Sequence, residues 1–202
     1  MATEVRLRDG SRAVIWGLLP SDREGLRLAY EQLSPETQRH RFLTPVPRLT
    51  EEMLHHLVDE VDGVDHVALV LFVLDEQHLG EPAGVARMIR YRDDPTAADV
   101  AVTVIDEHQG RGVASALLTE LLQQRPQGVV RIVTEVSADN PASLAMLRRL
   151  GPTTVTRQGP NLLGVTVELP RPDEAPPAEA AVDEPPRDER PPDDPLPGSS
   201  PS

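Results

Sequence analysis

The sequence predicts an α+β fold with a mixed, mostly antiparallel central sheet flanked by helices. Three observations carry this. Residues 67–73, 83–91 and 99–105 are successive segments of strand composition and period, which reads as an antiparallel meander. Segments of helical period come before it. Residues 102–122 then run strand, tight turn and helix, and a further strand, helix and strand pair follow.

In chain order, Val5-Arg6-Leu7-Arg8 and Arg12-Ala13-Val14-Ile15-Trp16 flank the turn dipeptide Asp9-Gly10 and predict a hairpin. Pro20-Ser21-Asp22 opens a helix to about Leu33, with Leu26, Leu28, Ala29 and Leu33 as its buried side. Ser34 reads as the N-cap of a second helix with Pro35 at its first position, and Thr50-Glu51-Glu52 starts a third through Leu54, Leu57 and Val58. In the meander the first two strands are joined by a turn around Gln77-His78-Leu79-Gly80. A strand is expected over 129–136, a helix capped at Asn140 or Ser137, and closing strands over 153–158 and 162–169.

The 202 residues suffice for one domain and a tail. Residues 170–202 hold eleven prolines, nine acids and three arginines, with almost no aliphatic side chains. Such a segment buries too little surface to offset its ordering entropy, so it is expected to be a disordered acidic, Pro-rich tail behind a domain of residues 1–169. A net charge of −13 argues against a nucleic-acid partner held by phosphate contacts. There is no cysteine, which removes thiolate catalysis, thiolate metal sites and disulfides. No secretory signal pattern and no membrane-length apolar run is visible, which predicts a cytoplasmic protein without a membrane partner. The six histidines lack metal-ligand spacing, so surface or structural roles are expected for all of them and no metal is expected.

The chemistry is expected in the turn of residues 109–115, Gln109-Gly110-Arg111-Gly112-Val113-Ala114-Ser115. Small residues at a helix start leave first-turn N–H groups uncovered, and with the helix dipole these favour an anion such as a pyrophosphate. Leu117, Leu118, Leu121 and Leu122 form the stripe that packs this helix on the sheet. A dinucleotide fingerprint is not met, because Ser115 stands at the third glycine position, and a phosphate loop of the GKS type needs a lysine, which the chain lacks. An ordinary glycine turn between strand and helix is the alternative.

Gln109, Gly112 and Ala114 resemble the acyl-CoA-binding motif Q/R-x-x-G-x-G/A of the GNAT superfamily of N-acyltransferases. The order of elements is similar too, over nearly all of residues 5–169, and implies the three-layer α/β fold of that superfamily. Leu33-Ser34-Pro35-Glu36-Thr37 with Arg41-Phe42, Asp65-His66-Val67-Ala68-Leu69, Gly84-Val85-Ala86-Arg87 and Ala98-Asp99-Val100-Ala101-Val102 look like the bacterial protein-lysine acetyltransferases of the Pat type. No stretch reads as the extra regulatory or ligase-like domain those enzymes often carry.

The resemblance implies acetyl-CoA as co-substrate and an amine, a protein lysine above all, as acceptor. Val102, Thr103 and Val104 would supply the backbone groups that bind the pantetheine. Gln109 to Ala114, with Ser115, would hold the pyrophosphate, and Asn140 and Ser143 at the head of the next helix would meet the pantetheine arm. Asp99 stands where Pat-type enzymes use a glutamate as general base, one methylene shorter and so in need of a bridging water. Glu135 is the second candidate base, or equally an exposed sheet residue. Leu147 occupies the position of the tyrosine that protonates the thiolate in many relatives, leaving that step to water. Arg39, Arg41 and Arg48 are candidates for the adenosine 3′-phosphate, or a solvated basic face. Two other functions stay open: a catalytically weak acyl-CoA-binding regulatory module, and acetylation of a small amine such as a polyamine or aminoglycoside.

Overall fold

The computed structural model describes residues 2–75 and 80–170. The expected turn at Gln77–Leu79 and the expected tail from Arg171 onward lie outside them. Eight strands form one sheet in the order β1-β2-β3-β4-β5-β6-β8-β7. They are β1 (Thr3–Arg6), β2 (Arg12–Gly17), β3 (His66–Leu74), β4 (Gly80–Arg90), β5 (Ala97–Val104), β6 (Arg131–Ser137), β7 (Thr153–Gly159) and β8 (Leu162–Glu168). Five helices accompany them: α1 (Arg23–Glu31), α2 (Pro35–Phe42), α3 (Glu51–Leu54), α4 (Val113–Gln123) and α5 (Pro141–Arg148). All pairings are antiparallel except β5 with β6.

Both faces of the sheet are covered, which explains the near-continuous apolar run of β3. Leu69 and Leu71 pack in a core with Val113, Leu117, Leu118 and Leu121 of α4 and Leu147 of α5. Ala68 and Val70 point the other way, into a second core with Tyr30, Leu33, Leu54, Leu57 and Val58. A strand covered on both sides loses the alternation that a half-solvated strand shows.

The caps follow the sequence. Ser34 accepts the Thr37 N–H at 3.2 Å, and Thr50 that of Met53 at 3.2 Å. After α3 the chain continues as a π-helical turn, His55–Asp59. Three expectations need correction. The first hairpin strand is Thr3–Arg6 rather than residues 5–8. The first helix begins at Arg23, behind a 3-10 turn at Pro20–Asp22. Leu28 is 47% exposed, and Tyr30 is the buried residue of that helix. Leu26, Ala29 and Leu33 face inward as expected, and Tyr30 takes the buried place read for Leu28.

Candidate functional site

The site begins where two strands part. β5 and β6 pair only at Ala97↔Arg131 and Ala98↔Ile132. β5 stays laddered to β4 on its other edge as far as Val104↔Gly84. From Asp99 to Val104 the β6-facing edge therefore has no neighbouring ladder, and its last three residues stand at a cleft of about 520 Å³. Val102, Thr103 and Val104 line that cleft, as do Gln109, Gly110, Gly112, Val113, Ala114, Ser115, Asn140 and Ser143. The structure thus brings together every candidate cofactor-binding residue except Arg111.

The glycine turn has a definite geometry. Gly110 and Gly112 sit at φ +75° and +97°. A Cβ at Gly112 would also lie 3.2 Å from the Arg8 nitrogen and 3.3 Å from its Cβ, so the position demands glycine for conformation and for space. As N-cap of α4, Gly112 offers no side-chain acceptor. The first intrahelical bond runs from Ala116 N–H to Gly112 C=O at 3.0 Å, with the N–H groups of Val113, Ala114 and Ser115 ahead of it. Converging donors at a helix start, with no side chain in the way, suit a phosphate group.

Arg111 has another task. Its guanidinium pairs with Asp9 and donates to Ser11 Oγ at 2.7 Å, while its carbonyl accepts from Arg8 N–H at 3.0 Å. The side chain that was a cofactor candidate anchors the β1–β2 hairpin to the turn. Ser11's hydrogen bonds, with Arg111 beside them, hold the Asp9 carboxyl at about 2. The hairpin in turn sets Arg8, an exposed cation the sequence reading overlooked, at the cleft wall.

α2 spans the opening between the parted strands and is tied at both ends. At its start, Asp106 accepts from the Ser34 N–H at 2.9 Å, from Ser34 Oγ at 2.7 Å and from Thr37 Oγ1 at 2.9 Å. Toward its end, Asp139 pairs with Arg39 at 2.8 Å and His40 at 3.1 Å. Ser137's hydroxyl, then Arg39 and His40, hold the Asp139 carboxyl well below the usual carboxylate range. Arg39 is thereby committed to the protein. Arg41 faces Asp99 and stacks on the Phe42 ring at 4.6 Å, whereas Arg48 is exposed and does not line the cleft.

The candidate bases stand differently. Asp99 is half-buried on the edge of β5; burial raises its pKa, against the hydrogen bond from Thr134 and the charge of Arg41. Glu135 is exposed on β6, opposite Gly164. Neither lines the cleft. Leu147 is 2% exposed and packed in the core, so it is Met146 that reaches the cleft wall. Tyr30 donates to Val46 O at 2.6 Å, and Tyr91 to Val133 O at 3.0 Å. Asn140 caps α5, its Oδ1 accepting from Ser143 N–H at 3.0 Å.

The histidines divide. His55 and His56 are surface partners of Asp59 and Glu60, and His66 and His108 are buried. His40 lines the cleft, beyond the structural role expected of it. His78 lies outside the described residues. Among the described residues no group of three or more His, Asp or Glu side chains could hold a metal ion, and no helix is long and apolar enough to cross a membrane.

A second cavity, of about 310 Å³, lies under α1 on the other side of β5. Thr103 and Arg41 line both spaces.

The model of the acetyltransferase (GNAT) family matches residues 29–151. The chain is 34% identical over 173 residues to Acetyltransferase Pat of Mycolicibacterium smegmatis, an alignment covering 85% of this chain and 50% of that protein. It thus spans half the length of that relative. It is 30% identical over 146 residues to Acetyltransferase PA5475 of Pseudomonas aeruginosa, covering 72% of this chain and 77% of the relative. Among solved structures, it superposes on the GNAT domain of S. lividans PAT with a TM-score of 0.73 at 32% identity, covering 83% of this chain and 97% of that one.

Proposed function

The chain belongs to the GNAT acetyltransferase family, and from that premise we propose that it transfers the acetyl group of acetyl-CoA to an amine, a protein lysine side chain above all. The observation that carries this is the parting of β5 from β6 beside a glycine-built helix start. A free strand edge can bind an extended amide-bearing arm as an added strand, and the helix start beyond it can bind the pyrophosphate. The fit is steric as well as polar: Gly112 packs against Arg8 with no room for a side chain, so the turn stays bare at the helix start. Val102 to Val104, Gln109, Gly110, Gly112 to Ser115 and Asn140 would hold acetyl-CoA, which supplies an activated acyl thioester when bound.

The chain's own residues then have two tasks. A backbone N–H of the β5 edge donates to the oxygen that becomes an oxyanion during attack. A carboxylate removes the proton from the acceptor ammonium, because only the neutral amine attacks a thioester carbon. Asp99 is our assignment for that base, working through a water along the β5 edge. As the C–N bond forms the C–S bond breaks, and water rather than Leu147 supplies the proton to the departing sulfur. Lysine as acceptor rests on the likeness to the M. smegmatis Pat and to the S. lividans PAT domain.

A second reading, a catalytically weak acyl-CoA-binding module, rests on one observation: neither Asp99 nor Glu135 lines either cavity. One experiment separates the two. The protein is incubated with acetyl-CoA and a library of lysine-containing peptides, and products are read by mass spectrometry. Because the chain itself has no lysine, every acetyl-lysine detected belongs to the acceptor. Acceptor-dependent thiol release supports the transferase; CoA binding without it supports the module.

A further inference from the structure

Beneath α1 the second cavity has walls that the acetyl-transfer reading leaves without a use. It holds about 310 Å³, roughly twice the ~150 Å³ of an apolar protein cavity known to stay dry and to bind benzene. Its lining is mostly aliphatic and aromatic, including Leu26, Ala29, Val70, Phe72 and Val85. Three of the polar groups around it are engaged elsewhere: Tyr30 donates to Val46 O at 2.6 Å, Arg87 to Leu57 O at 2.9 Å, and Asp22 accepts from Leu19 N–H at 2.9 Å; Arg41, stacked on Phe42, stands on the wall shared with the cleft. Away from that shared wall the lining offers apolar contact, which suits a hydrocarbon.

The cavity is not isolated. Thr103 has its backbone at the cleft and its side chain on the face of β5 shared with Val85, its register partner, so the same residue borders both spaces. Gly25 of α1 also borders the cavity. Glycine weakens a helix interior, yet here an added Cβ would meet nothing within 4 Å. Gly25 is exposed, so it marks where the cavity meets the surface of α1.

We propose that this cavity receives the acyl chain of acyl-CoA donors longer than acetyl, entering past Thr103; the inference rests on the reading of the adjoining cleft as the CoA site. The wall shared with that cleft at Thr103 and Arg41 selects the occupant, because a chain attached to the thioester is the apolar group delivered to Thr103. Each methylene that leaves water for the cavity is expected to tighten binding about fourfold.

The test is calorimetry on the full chain with CoA, acetyl-CoA, butyryl-CoA and hexanoyl-CoA. Butyryl-CoA is expected to bind about sixteenfold more tightly than acetyl-CoA, and hexanoyl-CoA more tightly again. Ala29→Phe, which fills the cavity, is expected to abolish that gain and leave CoA and acetyl-CoA binding as they are. Val85→Phe, which adds volume on the cavity wall beside Thr103, provides the same readout if Ala29→Phe does not fold, as judged by circular dichroism. Equal or weaker binding of the longer donors to the unaltered chain overturns the assignment, as does a gain that survives in a folded filled variant. If CoA itself fails to bind, the reading of the cleft falls and the pocket with it. Binding of CoA and acetyl-CoA without a chain-length gain removes the pocket alone.

Discussion

The two spaces on either side of Thr103 are built from opposite materials. The cleft is walled by main-chain donors, caps and carboxylates: the helix start at Gly112, the edge of β5, and the Asp106 and Asp139 ties of α2. The cavity under α1 is walled mostly by aliphatic and aromatic side chains, with Tyr30 and Arg87 donating to backbone carbonyls. One strand serves both, with its backbone edge toward the cleft and its odd-numbered side chains toward the helices. Backbone-altering substitutions should therefore damage the first space and side-chain volume the second, and the difference can be attacked experimentally.

The largest expected effect is at the strand they share. Asp99→Asn is expected to lower turnover by roughly 10²- to 10⁴-fold while acetyl-CoA binds as before, measured by steady-state kinetics and calorimetry together. Burial raises the Asp99 pKa, and a base works only when deprotonated. The acid limb of kcat/KM should thus lie above the ordinary carboxylate range, with activity rising as pH rises through it, and the limb should vanish in the variant. Unchanged turnover would take Asp99 out of the chemistry and leave the cleft as a binding site.

Next comes Gly112→Ala, which forces an L-residue to φ +97° and a Cβ to 3.2 Å from Arg8. A cost of ~1–2 kcal/mol at this conformation predicts about tenfold weaker acetyl-CoA binding. If the substitution weakened hexanoyl-CoA only, the two spaces would not be separable in this way.

Asp106→Ala removes the acceptor for three donors of α2. Denaturant unfolding should register a loss of about 1–2 kcal/mol. A variant as stable as the parent would mean that α2 is held by its apolar contacts.

The smallest effect is a slope. Burial, with the charge of Arg87, pushes the His66 imidazole down from its usual 6.5 to about 4, and Arg87 donates to its Nε2 at 3.1 Å. The unfolded chain takes up this proton first as pH falls, so stability is full above about pH 6.5 and declines between there and about pH 4. His66→Gln should flatten that part of the profile in thermal melts at graded pH.

The contrast between the spaces also explains what could be read before folding. Gly110, Gly112 and the stripe Leu117, Leu118 and Leu121 mark the cleft because backbone conformation and helix packing demand particular residue types. Ser34-Pro35 announced a cap for the same reason. Arg111 misled, since a cation in an anion-binding motif reads as a ligand, and only the distant Asp9 and Ser11 reveal it as an anchor. Asp106 and Asp139 carry no local sign of their role: their partners lie 72 and 100 positions away, and no local pattern encodes such a pairing. The cavity left no mark, because it consists of volume that side chains do not fill, and Leu26, Ala29 and Val85 would look alike in a filled core.

The central claim is that the cleft at Gly112 holds acetyl-CoA. Its most direct test is titration of acetyl-CoA into the parent chain and into Gly112→Ala, with folding of both checked by circular dichroism. The account predicts saturable one-to-one binding to the parent and about tenfold weaker binding to the folded variant. No binding to the parent, or equal binding to both, would contradict it.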